Sequence, residues 1–455
     1  MSITEVARRD APVFGEPARE RLADVAQAAL AEARRQGVSA AEAAAHLSQG
    51  LAVTVRLGDV ETVEQTRDKG LSVTVYFGHR TGSASTTDLS PTAVRDTVRA
   101  ACAIARYTAE DPCAGLADAD ALAREIPDLD LLHPWNPGVE GAVALARECE
   151  GAALALDKRI TNSEGATLST YEGVEVYANT HGFLGTLAGT RHNLSAAVIA
   201  QDASGMQRDF WFTVARRPGE LEAAAAVGAR AARRALRRLG ARKLPTRRAP
   251  VIYEAPVAAS LLSHFTAAVR GESLYRDASF LLGALGKPVF PEFVRIHEQP
   301  HLEAGLGSAP FDNEGVATAP RDLVRDGVLQ GYVLDSYAAR KLKMRTTGNA
   351  GGVHNLTIDP GSLGFEQLLK QMGTGLLVTE LIGFGVNIVT GDYSRGAAGF
   401  WVENGEIAYP VEEITIAGNL RDMFRGIVAV GADVDARGNI RTGSILIDAV
   451  TIAGN

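Results

Sequence analysis

Cysteine is scarce. The 455-residue chain has three, Cys102, Cys113 and Cys149, all in its first third and none in a CxxC pair. An odd count without paired spacing excludes a disulfide framework or a zinc ribbon and fits a reducing cytoplasm. Aromatic residues are few at 6%, so small side chains must fill much of the core. No stretch reaches the ~18 uninterrupted apolar residues of a membrane helix. Even the apolar run from Gly375 to Ile388 is broken by Glu380 and by glycines. Met1 to Glu16 mixes acids and arginines and lacks the apolar centre of a signal peptide. No Gly-Lys-Ser/Thr phosphate loop and no Gly-x-Ser-x-Gly elbow occurs. Positive charge is in deficit, with 46 basic against 54 acidic residues and a formal net charge of −8. That field repels phosphate backbones and disfavours a nucleic-acid partner.

What remains is an ordinary globular composition, 46% hydrophobic and 22% charged, long enough for two or three cores. Residues 1–16 read as a tail. Helical spacing runs from Glu16 to Gln36, and Ala40 to Leu47 reads as a further short helical turn. The period then changes to two over Leu51 to Arg56, Val60 to Gln65 and Leu71 to Phe77, an antiparallel meander with breaks at Gly58-Asp59 and Lys69-Gly70. Ser90-Pro91 opens a helix to about Tyr107. Another follows over Val139 to Leu156. Short alternating segments fill Thr161 to Thr213, and an alanine-rich helix spans Glu220 to Leu239. The charged, proline-containing stretch from Arg242 to Arg248 suits a linker. The reading is therefore α+β, with an N-terminal α+β domain over 17–242 and a mostly-β C-terminal domain with helices over 243–455. Thr-Ile-Ala-Gly-Asn occurs at 415–419 and again at 451–455, which suggests two similar strands closing one barrel or sheet.

Several constellations bear on chemistry. His297-Glu298-Gln299-Pro300-His301 spells HExxH, but a zincin needs those letters on a helix so that both imidazoles share a face. Pro300 forbids that helix, so His297 and His301 read as a decoy on a strand and loop. His264 lies beside the apolar stripe of a helix expected over Val257 to Arg270. It has no second ligand at helical spacing and is a weak metal candidate. The arginines at 230, 233, 234, 237 and 238 form one face of a helix, read as solvated. Asp312-Asn-Glu-Gly315 suits an Asx-type turn. Asp392, Ser394 and Arg395 stand in a glycine-rich surround that suits either backbone pairing with an extended peptide or a tight turn.

Asp68-Lys-Gly-Leu-Ser-Val-Thr-Val, Phe311-Asp-Asn-Glu-Gly-Val-Ala-Thr, Thr347-Gly-Asn-Ala-Gly-Gly and above all Gly385-Val-Asn-Ile-Val-Thr-Gly-Asp-Tyr-Ser-Arg-Gly-Ala-Ala-Gly-Phe-Trp-Val-Glu-Asn-Gly resemble the PmbA/TldD peptidase family over nearly the whole chain. The resemblance implies a curved, partly closed C-terminal sheet and a cytoplasmic complex of two related subunits acting on unstructured polypeptides. It also carries an older description, modulator of DNA gyrase. In that family the TldD-type subunit binds zinc through HExxxH on a helix and a distant cysteine. The corresponding helix here reads Leu261-Leu-Ser-His-Phe-Thr-Ala-Ala-Val, and no cysteine follows Ile427. The resemblance thus points to the PmbA/TldE branch, a subunit with no catalytic metal of its own, zinc being expected in a TldD-type partner. A homodimer in the partner's absence is consistent with it. Asn349, His354, Asp392 and Arg395 are the candidates for lining the cleft or the subunit interface. Two rival readings are an autonomous metallohydrolase using His264, His297, His301 or His354, and a gyrase- or nucleic-acid-binding modulator using the basic stretch over 230–248.

Overall fold

The structure is a computed structural model and describes residues 14–454. The expected tail over 1–16 falls mostly outside them, and Glu16 itself already belongs to the first helix. That helix, α1 (Glu16–Arg35), buries Leu22, Ala26, Ala29 and Ala33 at helical spacing. Three strands follow: β1 (Ala40–Arg56), β2 (Asp59–Phe77) and β3 (Arg80–Thr86). Next are α2 (Pro91–Tyr107), α3 (Gly138–Leu156), β4 (Ile160–Asn179), β5 (Leu184–Asp202), β6 (Gly205–Ala215) and α4 (Ala224–Arg237). The six strands form one antiparallel sheet in the order β3-β2-β1-β4-β5-β6, curled into a half-barrel.

Two expectations fail here. Ala40 to Leu47 is strand, not a helical turn. Its alanines alternate inward, with Ala41, Ala43 and Ala45 all buried under α1 and α2, so pairing with β2 and β4 overrides alanine's helical preference. Lys69-Gly70 does not break the meander either, since β2 continues through it opposite Leu47 and His46. Gly70 fits because the His46 ring lies where a side chain would otherwise project. The helices cover one end of the sheet each. α1 and α2 bury Val73, Val75 and Val176, while α3 and α4 bury Leu168, Leu194 and Val198.

In the second half β7 (Arg247–Tyr253) leads into α5 (Ala255–Val269). Then come β8 (Ile296–Glu298), β9 (Arg321–Arg325), β10 (Val328–Leu329) and β11 (Leu356–Ile358). The helix α6 (Phe365–Met372) precedes β12 (Gly375–Ile382), β13 (Asp392–Glu403), β14 (Glu406–Asn419), β15 (Ile427–Val430), β16 (Ile440–Arg441) and β17 (Ile445–Ala453). A small sheet runs β10-β9-β8-β11-β16. The larger one runs β14-β13-β12-β7-β17, and β14 pairs back to β17, so five strands close a barrel with β15 appended.

The closing pairs are Thr415 with Ala453, Ile416 with Ile452 and Ala417 with Thr451. These lie in the two Thr-Ile-Ala-Gly-Asn copies, which meet antiparallel as the repeat suggested. Strand alternation sorts the barrel's side chains. Val251, Tyr253, Leu376, Val378, Ile416 and Ile452 join α5 in the main core, whereas Ile252, Leu377 and Leu446 face α6. Closure leaves few unpaired strand edges, the usual advantage of a barrel.

Candidate functional site

The HExxH letters lie on a strand and the turn after it. β8 ends at Glu298, and His301 sits beyond Pro300. The two imidazoles take different partners. His297 Nε2 is 2.8 Å from Asp359 Oδ1, and His301 Nε2 is 3.0 Å from Thr318 Oγ1. Glu298 is buried between them and accepts from Arg321 Nε at 2.7 Å, from Asn349 Nδ2 at 2.9 Å and from the His354 amide at 2.8 Å. A carboxylate with three donors is a satisfied structural anion.

Asn349 is 4% exposed and fully engaged. Besides Glu298 its amide donates to the Gly352 carbonyl, and its oxygen accepts from Arg321 and from Thr347 Oγ1. The His354 ring is half-buried with Nε2 3.2 Å from the Gly348 carbonyl. Asp312 makes the anticipated turn. Its Oδ1 accepts from the amides of Glu314 and Val316, and its Oδ2 from that of Ala350.

Asp392 opens β13 at the surface. It accepts from Thr390 Oγ1 at 2.6 Å and from Asn419 Nδ2. Of the two readings left open for this segment, the structure has the tight turn. The Asn387 amide donates to the Asp392 carbonyl and the Ser394 amide to that of Gly385, while β14 occupies the other edge. Gly385 is required, because a Cβ there would lie 1.9 Å from the Ser394 carbonyl oxygen. The turn carries Phe384 outward, almost fully exposed.

Arg395 lies two residues beyond Tyr393 on the same face of β13, pointing toward α5 and the end of β7. There it meets His264 and Tyr253. The His264 and Tyr393 rings stand edge to face with centroids 6.0 Å apart. Tyr253 and Tyr393 are fully buried, with the Tyr253 O–H directed at the Tyr393 oxygen in a weak contact outside ordinary hydrogen-bond geometry. His264 Nε2 and Arg395 Nε are likewise buried without partners. Burial first, and the Arg395 charge second, push His264 down to about 4, so its imidazole is neutral at physiological pH. Burial also raises both phenols, so both keep their protons.

The basic face of α4 is solvated only in part, with Arg230 and Arg233 exposed and the rest drawn inward. Arg234 and Arg238 are each 11% exposed. Arg234 pairs with Asp209 and Glu254, and Arg238 with Asp209 and Glu380. Trp211 supplies an aromatic that the local sequence lacks, with Arg437 stacked 3.8 Å from its centroid and Arg230 4.6 Å away. Trp211, Arg230, Arg234, Glu254 and Arg437 border a cavity of about 540 Å³. Arg234 joins Asp209 and Glu254 from two other elements, and no spacing signal announces it. Glu314 was also missed as a perturbed group. Burial, with help from Asp312 and Asp335, lifts its carboxyl to about 7.

Models for PmbA/TldA metallopeptidases match the chain in three parts: the first domain over residues 41–105, the central domain over 132–239 and the C-terminal domain over 246–454. The chain belongs to the PmbA/TldD peptidase family. The metalloprotease PmbA of Escherichia coli O157:H7 is 53% identical across 91% of this chain and 92% of that protein, and the PmbA homologue of Haemophilus influenzae is 49% identical across 93% and 94%. A crystal structure from Bacteroides thetaiotaomicron, of a candidate modulator of DNA gyrase, superposes with a TM-score of 0.91 at 28% identity, covering 97% of this chain and all of that one. The TldE structure from Thermococcus kodakarensis shares the fold, with a TM-score of 0.82 at 21% identity over 92% of this chain and 98% of that one.

Membership in the PmbA/TldD family raises the question of metal. Zinc takes three or four imidazole, thiolate or carboxylate donors. The helix α5 offers one imidazole, flanked by two protonated phenols and a guanidinium whose charge opposes a dication. These residues do not fit zinc. Among the described residues no group of three or more His, Cys, Asp or Glu is placed to hold a metal ion.

Proposed function

We propose that this chain is the metal-free, PmbA/TldE-type subunit of a two-subunit zinc peptidase, whose TldD-type partner holds the zinc and whose substrates are unstructured polypeptides. The observation that carries this reading is the α5 surround. Where the family resemblance places HExxxH, a single neutral His264 stands beside the Arg395 cation. Such a surround neither binds a dication nor lowers the pKa of a metal-bound water, so this polypeptide's part is structural and substrate-directed. The presence of a TldD homologue among its relatives, 24% identical over 80% of this chain, is consistent with two related subunits.

In this reading Arg395 and Asp392 stand at the cleft or the subunit interface, and Phe384 at its exposed turn adds an apolar contact. His354 and Asn349 shape the neighbouring wall, His354 with a half-buried ring and Asn349 from inside through Glu298 and Arg321.

The test is cleavage of an unstructured peptide by the purified chain, alone and mixed with a TldD-type subunit, each with and without chelator. Cleavage is expected only in the mixture and is abolished by chelator. Chelator-sensitive cleavage by the chain alone overturns the reading. Alanine at both Asp392 and Arg395 is expected to reduce association or cleavage, and unchanged values for both remove those two residues from the interface.

A further inference from the structure

The end of the barrel under α5 holds an imbalance that the fold does not resolve. Tyr253 is completely buried and Tyr393 is 1% exposed, yet neither hydroxyl has a hydrogen bond of ordinary geometry, and a weak contact from the Tyr253 O–H to the Tyr393 oxygen is all that the pair makes. Natural structures leave few such groups unpaired, because each gives up its hydrogen bonds to water and gets none in return. Beside them the Arg395 guanidinium forms no ion pair or side-chain hydrogen bond within the described residues, and its Nε is shut off from water. His264 Nε2 is a fourth polar atom without a partner. The charge acting on His264 and on both phenols is that of Arg395, and no carboxylate is among the influences on any of the three. Arg238 and Arg234, by contrast, are matched to Glu380, Asp209 and Glu254.

The cluster therefore offers one uncompensated cation, two phenolic O–H donors and a neutral imidazole. Donors of this number and one positive charge complement an anion, and a guanidinium fork matches the two oxygens of a carboxylate. His264 and Arg395 are half-buried while the phenols lie beneath them, so a ligand would enter past the first pair and reach the second. We propose that Arg395, Tyr253, Tyr393 and His264 form a carboxylate-binding site at the end of the barrel. The carboxylate comes either from a small organic acid or from the terminus of a polypeptide. The inference stands on unpaired donors in this chain and does not depend on the partner-subunit reading.

Calorimetric titration of the full-length chain tests it, with acetate, with a short unstructured peptide bearing a free C-terminal carboxylate, and with the same peptide amidated. One-to-one binding of at least one carboxylate probe is expected, with the amide at least about tenfold weaker than the free acid, the scale of one charge-assisted hydrogen bond. Binding of acetate as well as the acid peptide assigns the site to small acids, and binding of the peptide alone assigns it to chain termini. Arg395→Gln is expected to lower affinity at least about tenfold, and the isosteric Tyr393→Phe, which keeps the packing, several-fold. The proposal is overturned by no saturable binding of acetate or acid peptide, by equal binding of acid and amide, or by Tyr393→Phe and Arg395→Gln both binding as the native chain does.

Discussion

Glu314 shows how a single side chain can carry pH dependence without being exposed to solvent in the ordinary way. Its carboxyl is raised from 4.5 to about 7, mainly by burial. The folded state therefore holds the proton more tightly than the unfolded chain does. Stability from this group is fully present below about 4.5 and is lost as pH rises through 7, after which it stays flat. The shift bounds the effect at roughly 3 kcal/mol. Glu314→Gln keeps an oxygen for the Ser336 amide, which now donates to Glu314 Oε2 at 2.9 Å, and removes the titration. The variant is expected to exceed the native protein in urea stability at pH 8 and to lose that advantage near pH 4.5. Parallel pH profiles for the two proteins would exclude Glu314 as the titrating group.

At the scale of elements, barrel closure depends on two short strand ends. Ile416 and Ile452 face each other across β14 and β17, and both are completely buried. Truncating either to Ala is expected to cost about 2–5 kcal/mol. Because each loses the other as a neighbour, the double mutant should cost less than the sum, with a coupling of about 0.5–3 kcal/mol. Denaturant unfolding of the four proteins measures this. Strict additivity would mean that the ring is not held by that pair. The repeat made this pairing visible in the sequence, since both copies alternate and end alike. The strand over Ala40 to Leu47 shows the opposite case. Eight residues rich in alanine prefer helix in isolation, and only the two flanking strands and the helices above them make the extended form better.

Across the whole molecule, the curled first sheet and the barrel are joined by charge. Asp209 on β6, Arg234 and Arg238 at the end of α4, Glu254 before α5 and Glu380 on β12 make one network, with the Asp209 and Arg234 side chains 4% and 11% exposed. Arg234→Met leaves Asp209 and Glu254 short of a partner in low dielectric, at an expected cost of about 3–5 kcal/mol. Chemical denaturation checks it, and a loss under 1 kcal/mol would show that Arg238 and Arg237 suffice. The same pairing takes Arg234, Arg237 and Arg238 out of play and leaves only Arg230 and Arg233 exposed on that face, too few for a free basic surface. A gel-shift series with duplex DNA at falling salt is accordingly expected to show no retention at physiological ionic strength.

The sequence by itself determined the α+β class, the positions of nearly all the longer helices, the failure of His297-Glu-Gln-Pro-His301 to be a zincin helix, and the family. Those follow from local causes: hydrophobic period, caps, the geometry of proline, and long glycine-rich motifs that little else would produce. The tertiary structure alone decided which arginines are buried, that Lys69-Gly70 lies within one continuous strand, and that Glu314 sits where its proton is held. It also decided that His264 meets Arg395, Tyr253 and Tyr393. These four come from α5, β7 and β13, separated by as many as 142 residues between Tyr253 and Arg395 (395 − 253). Burial and proximity of that kind are properties of packing between distant segments. No spacing rule within one segment encodes them, because desolvation and charge coupling arise only when the barrel closes and the helix seats against it.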